Sequence, residues 1–329
     1  NPAFLADCDY AVVPYGLFLV IGAEFRGFHV RFDDVARGGI RLITSRNKQI
    51  WQRNAEGLFD ENYNLAYTQT LKNKDIPESG SKGTVFLNVD HQDKGESAFQ
   101  KYIDSIMDCI LPAPDVVDHL GKPEILFFGP DEGTANFMDW AALHAKSRGY
   151  KFWSALTTGK SEALGGIPHD VFGMTTRGVH QYVLGIIRKL GLDESQLRKL
   201  QTGGPDGDLG SNEIKISKDK TVAIVDGSGV LYDPEGIERT ELTRLADSRK
   251  MVIHFDKSKL SAKGFLVLID DHDIVLPDGR HVDSGMNFRN NFHLDPLASA
   301  ELFVPCGGRP AAVNLSNVEK LFIGPDHKP

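Results

Sequence analysis

The sequence predicts an α/β protein of two domains, a mixed α/β domain first and a doubly wound, helix-covered sheet second. Three observations lead there. At 329 residues the chain is too long for one small core. Through the first half, short apolar runs alternate with stretches of helical periodicity. From about residue 175 the order becomes long helix, strand, glycine-rich turn, helix and strand, and such a βαβ unit requires parallel strands covered by helices. The boundary falls near 175, giving domains 1–175 and 176–329, with a hairpin insert at about 257–285.

Each element has its own signal. YGLFLVIG (15–22), GFHVRF (27–32), TVFLNV (84–89) and EILFFG (124–129) read as strands. Phe99, Tyr102, Ile103, Ile106, Met107 and Ile110 recur at helical spacing and predict one buried face on a helix near 95–111. A second helix is expected from Thr134 to about Lys146. In the second half, Val179, Tyr182, Val183, Ile186, Ile187 and Leu190 share one face of a long helix. An extended run at 197–202 precedes the turn, and TVAIVDG (221–227) is a buried strand. FLVLIDDHDIVLPDGRH (265–281) suggests a hairpin around Pro277-Asp278-Gly279, and ELFVP (301–305) a late sheet strand.

Composition excludes several classes. The chain is 41% hydrophobic and 25% charged, as ordinary globular proteins are. A net charge of −8 argues against a nucleic-acid surface, and no run approaches the roughly 18 apolar residues of a membrane span. Cys8, Cys109 and Cys306 lie far apart without CxxC spacing, which predicts neither disulfides nor zinc and fits a reducing compartment, cytoplasm or mitochondrial matrix. The absence of an initiator Met and the ending GPDHKP lead us to expect a fragment of a longer protein. Gly159-Lys160-Ser161 imitates a P-loop ending but lacks its first glycine, and Asp270-Asp271-His272-Asp273 reads as a solvated hairpin edge, so no metal site is expected.

Two stretches of the first half place cations beside glycines: Ala36-Arg37-Gly38-Gly39-Ile40-Arg41, and Lys72 through Gly83. Cations on glycine-flanked turns suit carboxylate binding, because side-chain charge and backbone N–H groups converge on one anion. A lysine crowded by other cations and partly desolvated also loses pKa. The plain alternative is a set of solvated lysines on polar turns, with Arg37 paired to Asp33 or Asp34.

In the second half, Gly204, Gly207 and Gly210 are spaced one residue longer than in G-x-G-x-x-G, between an extended run and a helix. On its own this spacing reads first as a surface loop rich in Gly and Asp. The alternative is a turn that offers backbone N–H groups and a helix N-terminus to a pyrophosphate, provided Asp206 and Asp208 point away. Asp226, about 20 residues on, stands where a ribose-binding acid belongs, with a turn aspartate as the alternative; no arginine follows it, which favours NAD over NADP.

These residues resemble a known family. Pro77-x-x-Gly80-x-Lys82-Gly83 is similar to the Pro-x-Gly-Gly-x-Lys-Gly signature of the glutamate dehydrogenase superfamily of amino-acid dehydrogenases, with Ser79 where that signature has its first Gly. Gly129-Pro130-Asp131-Glu132-Gly133-Thr134 follows in the family's order. FRGFHVRF, ARGGIR, ENYNLAYTQTLKNKDIP and QTGGPDGDLGSNEI look like the large NAD-specific glutamate dehydrogenases, over almost all of residues 15–320.

The resemblance implies a Rossmann-like cofactor domain and reversible NAD-dependent oxidative deamination of L-glutamate to 2-oxoglutarate and ammonia, in a homo-oligomer. Lys82 matches the catalytic lysine and Asp131 the aspartate that relays protons. Lys72 matches, with a one-residue length difference, the lysine for the substrate α-carboxylate. Arg37 replaces the lysine that binds the distal carboxylate, with Gly38 and Gly39 beside it. Charge at Arg37 favours a dicarboxylic substrate, since a buried unpaired cation against an aliphatic side chain is costly. Gly204, Asp206, Gly207, Asp208, Leu209 and Asp226 would line the cofactor. Thr175-Thr176-Arg177-Gly178 resembles the family's Ala-Thr-Gly-Arg-Gly element, which leaves open whether Thr175 or Thr176 meets the nicotinamide. Cys306-Gly307-Gly308 would lie on the nicotinamide side, with Cys306 as packing. The family's later Glu-Gly-Ala-Asn motif and serine-bearing helix are not in this sequence, so both domains are expected to be incomplete. Two rival readings stand: a dehydrogenase of another amino acid, and a catalytically silent regulatory or oligomerisation module.

Overall fold

The computed structural model describes residues 5, 9–10, 12–74, 76–118, 120–307 and 312–321. Cys8 and Gly308 lie outside them. The chain divides between Pro168 and His169 into two compact units. Among the described residues, no helix is long and apolar enough to cross a membrane.

The first unit is built on a six-stranded mixed sheet. Its strands are β1 (Gly16–Ile21), β2 (Phe25–Arg31), β3 (Ala36–Arg37), β4 (Gly39–Ile43), β5 (Ser79–Leu87) and β6 (Gly129–Pro130), in the order β1-β2-β5-β4-β6 with β3 also on β5. β2 is antiparallel to β1 and β5, whereas β3 and β4 run parallel to β5, and β6 parallel to β4. Alternation along β5 covers both faces. Val85 and Leu87 enter a core with Phe99, Tyr102, Ile103, Ile106 and Met107 of α2 (Gly95–Ile110). Phe86 turns to the other face, against Leu58 of α1 (Lys48–Thr70). The helix α3 (Met138–Ser147) closes the α2 side with Met138, Ala141 and Ala145.

One expected strand is nearly absent. Of EILFFG only Gly129 pairs in the sheet. Leu126 N–H donates to Tyr150 Oη (2.9 Å), Phe128 N–H to the Leu156 carbonyl (2.6 Å), and the Ile125 carbonyl accepts from Arg31 (3.1 Å). Side chains and loops satisfy this backbone, so its buried apolar residues need no partner strand.

The second unit has a five-stranded sheet in the order β10-β9-β8-β7-β13, from β7 (Arg198–Thr202), β8 (Lys220–Val225), β9 (Gly229–Tyr232), β10 (Phe265–Leu268) and β13 (Leu302–Pro305). β13, β7 and β8 are parallel, and β9 and β10 fold back antiparallel. Among the described residues, only the β7–β8 crossover is therefore the βαβ unit the sequence predicts. α5 (Asp208–Ile216) and α6 (Arg239–Ser248) cover one face through Ile214, Leu242 and Leu245. The other face packs Tyr232 and Phe265 against Phe292, beside α7 (Gly285–Asn291). β11 (His272–Val275) and β12 (His281–Ser284) form the hairpin, whereas the preceding FLVL joins the central sheet as β10. α4 (Met174–Leu190) forms as expected, but it buries Thr176, His180 and Ile187; Val179, Tyr182, Ile186 and Leu190 of its apolar face are exposed.

Candidate active site

In the first unit, strand register brings the predicted groups together. Ile40 of β4 pairs with Gly83 on one side and with Pro130 on the other. Lys82 and Asp131, each one residue away from those partners, therefore flank β4 from opposite sides. Lys82 Nζ and Asp131 Oδ2 form an ion pair, with the lysine side chain 14% exposed. Gly39 makes the meeting possible: a Cβ there would lie 2.7 Å from Asp131 Oδ2 and 2.8 Å from its Cβ. At Gly38 a Cβ would collide with the Ser81 carbonyl, and the Gly38 carbonyl accepts from Gly129 N–H at 2.9 Å. Both glycines were expected to admit a ligand; the atoms they admit here belong to the protein.

Asp131 is held on its other edge. Its Oδ1 accepts from Glu132 N–H (2.8 Å), and its own N–H donates to Thr134 Oγ1 (3.0 Å). Thr134, fully buried, donates in turn to the Ile40 carbonyl at 2.8 Å. On the lysine side, Asn62 of α1 donates to the Lys82 carbonyl (3.0 Å) and accepts from Thr84 Oγ1 (2.9 Å). Sequence reasoning missed Asn62; the available signal was a polar residue amid Leu58, Tyr63 and Ala66 on a buried helix face.

Three expectations about this cluster change. Lys82 stands in a strand rather than on a turn, and its partner is an anion rather than a crowd of cations. Arg37 meets neither Asp33 nor Asp34; its Nε contacts Glu78 at 2.9 Å, and Asp34 pairs with Lys122. Glu78, also missed, stands between Arg37 and Lys74, whose Nζ lies 3.4 Å from it and donates to the Glu78 and Ser79 carbonyls. Lys72 is exposed just past α1. His29, which pairs with Gly83, is buried against Phe128; burial and nearby Arg31 push its pKa down to about 3. It stays neutral and is no acid–base candidate at ordinary pH.

In the second unit the glycine turn joins β7 to α5. Gly203 has φ +89°, a left-handed conformation open to glycine. A Cβ on Gly204 would lie 2.5 Å from Asp226 Oδ2 and 2.6 Å from Asp206 Oδ1, and one on Gly210 would collide with the Gly204 carbonyl. Asp226 is buried and most of its acceptor capacity is taken. Oδ1 accepts from Ser228 N–H and Oγ (both 2.7 Å) and from Gly229 N–H (3.2 Å), while Oδ2 accepts from Val252 N–H (2.7 Å). Oδ1 is saturated in the manner of a turn aspartate, and Oδ2, with one donor, keeps one acceptor site.

Asp206 and Asp208 are exposed beside the turn, with Leu209 and the open Gly207 between and after them. Partial desolvation by the surrounding turn raises the pKa of both, helped by Asp226 at Asp206 and by Asp170 at Asp208. Arg249 offsets two of these acids: its guanidinium grips Asp170 (2.6 Å) and Asp208 (2.9 Å). Thr176 is buried, its hydroxyl turned toward the Leu209 carbonyl at 3.4 Å, whereas Thr175 is exposed. Cys306 N–H donates to the Thr202 carbonyl at 2.7 Å, Gly307 follows it with its N close to Gly203, and burial drives the Cys306 thiol up to about 12. That thiol is packing, not a nucleophile.

The first unit's sheet carries a partly buried lysine–aspartate pair, and the second unit's sheet has a glycine turn leading into α5; this is an α/β protein with a candidate site in each unit. Residues 165–324 match the Glutamate/Leucine/Phenylalanine/Valine dehydrogenase family. It is 62% identical over 322 residues to glutamate dehydrogenase 2 of Dictyostelium discoideum, and 56% identical over 328 residues to the NAD-specific glutamate dehydrogenase of Neurospora crassa. Each alignment covers 98% of this chain but only 31% of the relative's length. The solved glutamate dehydrogenase of Plasmodium falciparum shares the fold, with a TM-score of 0.59 at 17% identity over 94% of this chain and 60% of its own.

Proposed function

We propose that this chain is the catalytic part of an NAD-dependent glutamate dehydrogenase, which reversibly converts L-glutamate, NAD⁺ and water to 2-oxoglutarate, ammonium, NADH and a proton. The observation that carries this reading is the Lys82–Asp131 pair over Gly39. The names of the relatives at 62% and 56% identity support it.

The glycine turn fits a dinucleotide. Side chains at Gly204 or Gly210 would fill the cradle, and the N–H groups opening α5 are available to a pyrophosphate. Asp206 and Asp208 oppose an anion there, and Arg249 supplies the compensating charge for Asp208. Gly204 through Leu209 would hold the phosphates, Thr175 is the threonine free to meet the nicotinamide amide, and Cys306 and Gly307 would line that side as packing. With Asp226 largely engaged internally, the exposed Asp206 would disfavour a 2′-phosphate and so prefer NAD. When bound, NAD would supply the acceptor for the hydride leaving the substrate Cα.

The protein's own groups do the rest. Asp131 takes a proton from the substrate nitrogen and returns one to the departing amine. The Lys82 ammonium stabilises the negative charge that develops on oxygen as water adds to the iminium carbon. Lys72 and Arg37 would bind the two substrate carboxylates, and the charge at Arg37 selects a dicarboxylic acid. Glu78 already pairs with Arg37, so the distal carboxylate of the substrate must share or displace it.

The test is NADH formation by the full-length protein with glutamate, leucine and phenylalanine, and with NADP replacing NAD. Activity with glutamate and NAD well above every other pairing is expected. Preference for leucine would overturn the assignment of Arg37, and silence toward every amino acid would leave a binding module.

A further inference from the structure

Gln201, next to last in β7, is fully buried beneath the glycine turn. Its Nε2 donates to the Gly203 carbonyl at 2.9 Å and to the Gly210 carbonyl at 3.2 Å. Those carbonyls lie at opposite ends of the turn: Gly203 opens it in a left-handed conformation, and Gly210 belongs to the first turn of α5. One amide thus ties the start of the turn to the start of the helix. The helix is also seated on the turn, because only a glycine at 210 clears the Gly204 carbonyl. Any slack between the two would re-aim the N–H groups that open α5.

The clasp has a cost. Gln201 Oε1 is buried with no hydrogen-bond partner among the described residues. An apolar side chain of the same size would fill this position without an orphaned acceptor, and a buried polar group left half satisfied is ordinarily selected against unless its bonds matter. The two donated bonds are what an apolar residue would lose.

We infer that Gln201 is a positioning residue for the cofactor phosphates: its amide sets the shape of the turn without touching the ligand. The inference rests on the proposed cofactor role of that turn. The test compares wild type, Gln201→Met and Gln201→Glu in the full-length protein, by NADH fluorescence titration, glutamate KM and the unfolding midpoint without cofactor. Met keeps the volume and removes both bonds; Glu would face two carbonyl oxygens with a carboxylate. We expect NADH affinity to fall about tenfold in Gln201→Met (about 1.4 kcal/mol). It should fall further in Gln201→Glu, while glutamate KM stays within about twofold and the midpoint of the Met variant changes little. Unchanged NADH affinity in Gln201→Met overturns the inference. So does a parallel loss of cofactor affinity, glutamate affinity and stability, which marks a merely structural residue. If Gln201→Met does not fold, Gln201→Asn, with its amide one methylene short, serves the same comparison. Wild type that fails to bind NADH would instead sink the cofactor reading itself.

Discussion

Lys82 of β5 and Asp131 after β6 form an ion pair across β4, over the missing side chain of Gly39. Neither residue is near the other in sequence. The parallel register of β5, β4 and β6 brings them together, and the glycine on the middle strand leaves room for the carboxylate.

Gly39→Ala is therefore expected to damage catalysis more than folding. Its Cβ would stand 2.7 Å from Asp131 Oδ2 and push the carboxylate off Lys82. Misplacing a catalytic group by about 1 Å can cost on the order of 10²-fold in rate. Measured kcat should drop by about that factor. The unfolding midpoint should stay near wild type, and a variant with normal kcat would show that the pairing is dispensable.

The two acids at the glycine turn should separate cleanly by substitution. Asp226→Asn disturbs a buried carboxylate that accepts four hydrogen bonds, so the midpoint of thermal unfolding should fall; the loss is on the order of 1–3 kcal/mol per broken buried bond network. Asp206→Ser should leave the midpoint alone and raise the efficiency with NADP relative to NAD. The reverse assignment of effects would restore Asp226 as the ribose acid.

Stability should depend on pH through His29. Its folded pKa, about 3, lies below its ordinary value of 6.5, so between these values the unfolded chain binds a proton that the folded chain refuses. Stability then rises with pH across that window, by up to about 1.4 kcal/mol per pH unit from this group. Denaturant titrations at pH 4, 5 and 6 should show a shallower slope in His29→Phe than in wild type. Equal slopes would mean that His29 is protonated in the fold.

Cys306 should be inert. With its thiol held near 12 by burial, it stays protonated at neutral pH, and thiolate-dependent alkylation should spare it. Mass mapping after iodoacetamide treatment would test this, and prompt labelling at Cys306 would refute the packing role.

Much of this was legible in the sequence because the decisive signals are local. The face of α2 from Phe99 to Met107 is buried as its spacing predicts, and the βαβ order of β7, α5 and β8 follows from periodicity and a glycine turn. Other features depend on distant partners. Glu124 to Phe128 looked like a strand because Leu126 and Phe128 are buried, but the hydrogen bonds come from Arg31, Tyr150 and Leu156. Glu78 pairs with Arg37 only because β3 lies beside β5, and the engagement of Asp226 depends on Val252, 26 residues later. The apolar periodicity of α4 predicted a helix but not its burial, since exposure depends on what packs beside it.

Single-turnover formation of 2-oxoglutarate from glutamate and NAD, in full-length wild type, Lys82→Met and Asp131→Asn, bears most directly on the central claim. Its rate should fall by about 10²–10⁴-fold in each variant, the range of positioned acid–base groups, with NADH affinity unchanged. A Lys82→Met protein that releases 2-oxoglutarate at close to the wild-type rate would contradict the assignment of this pair as the catalytic centre.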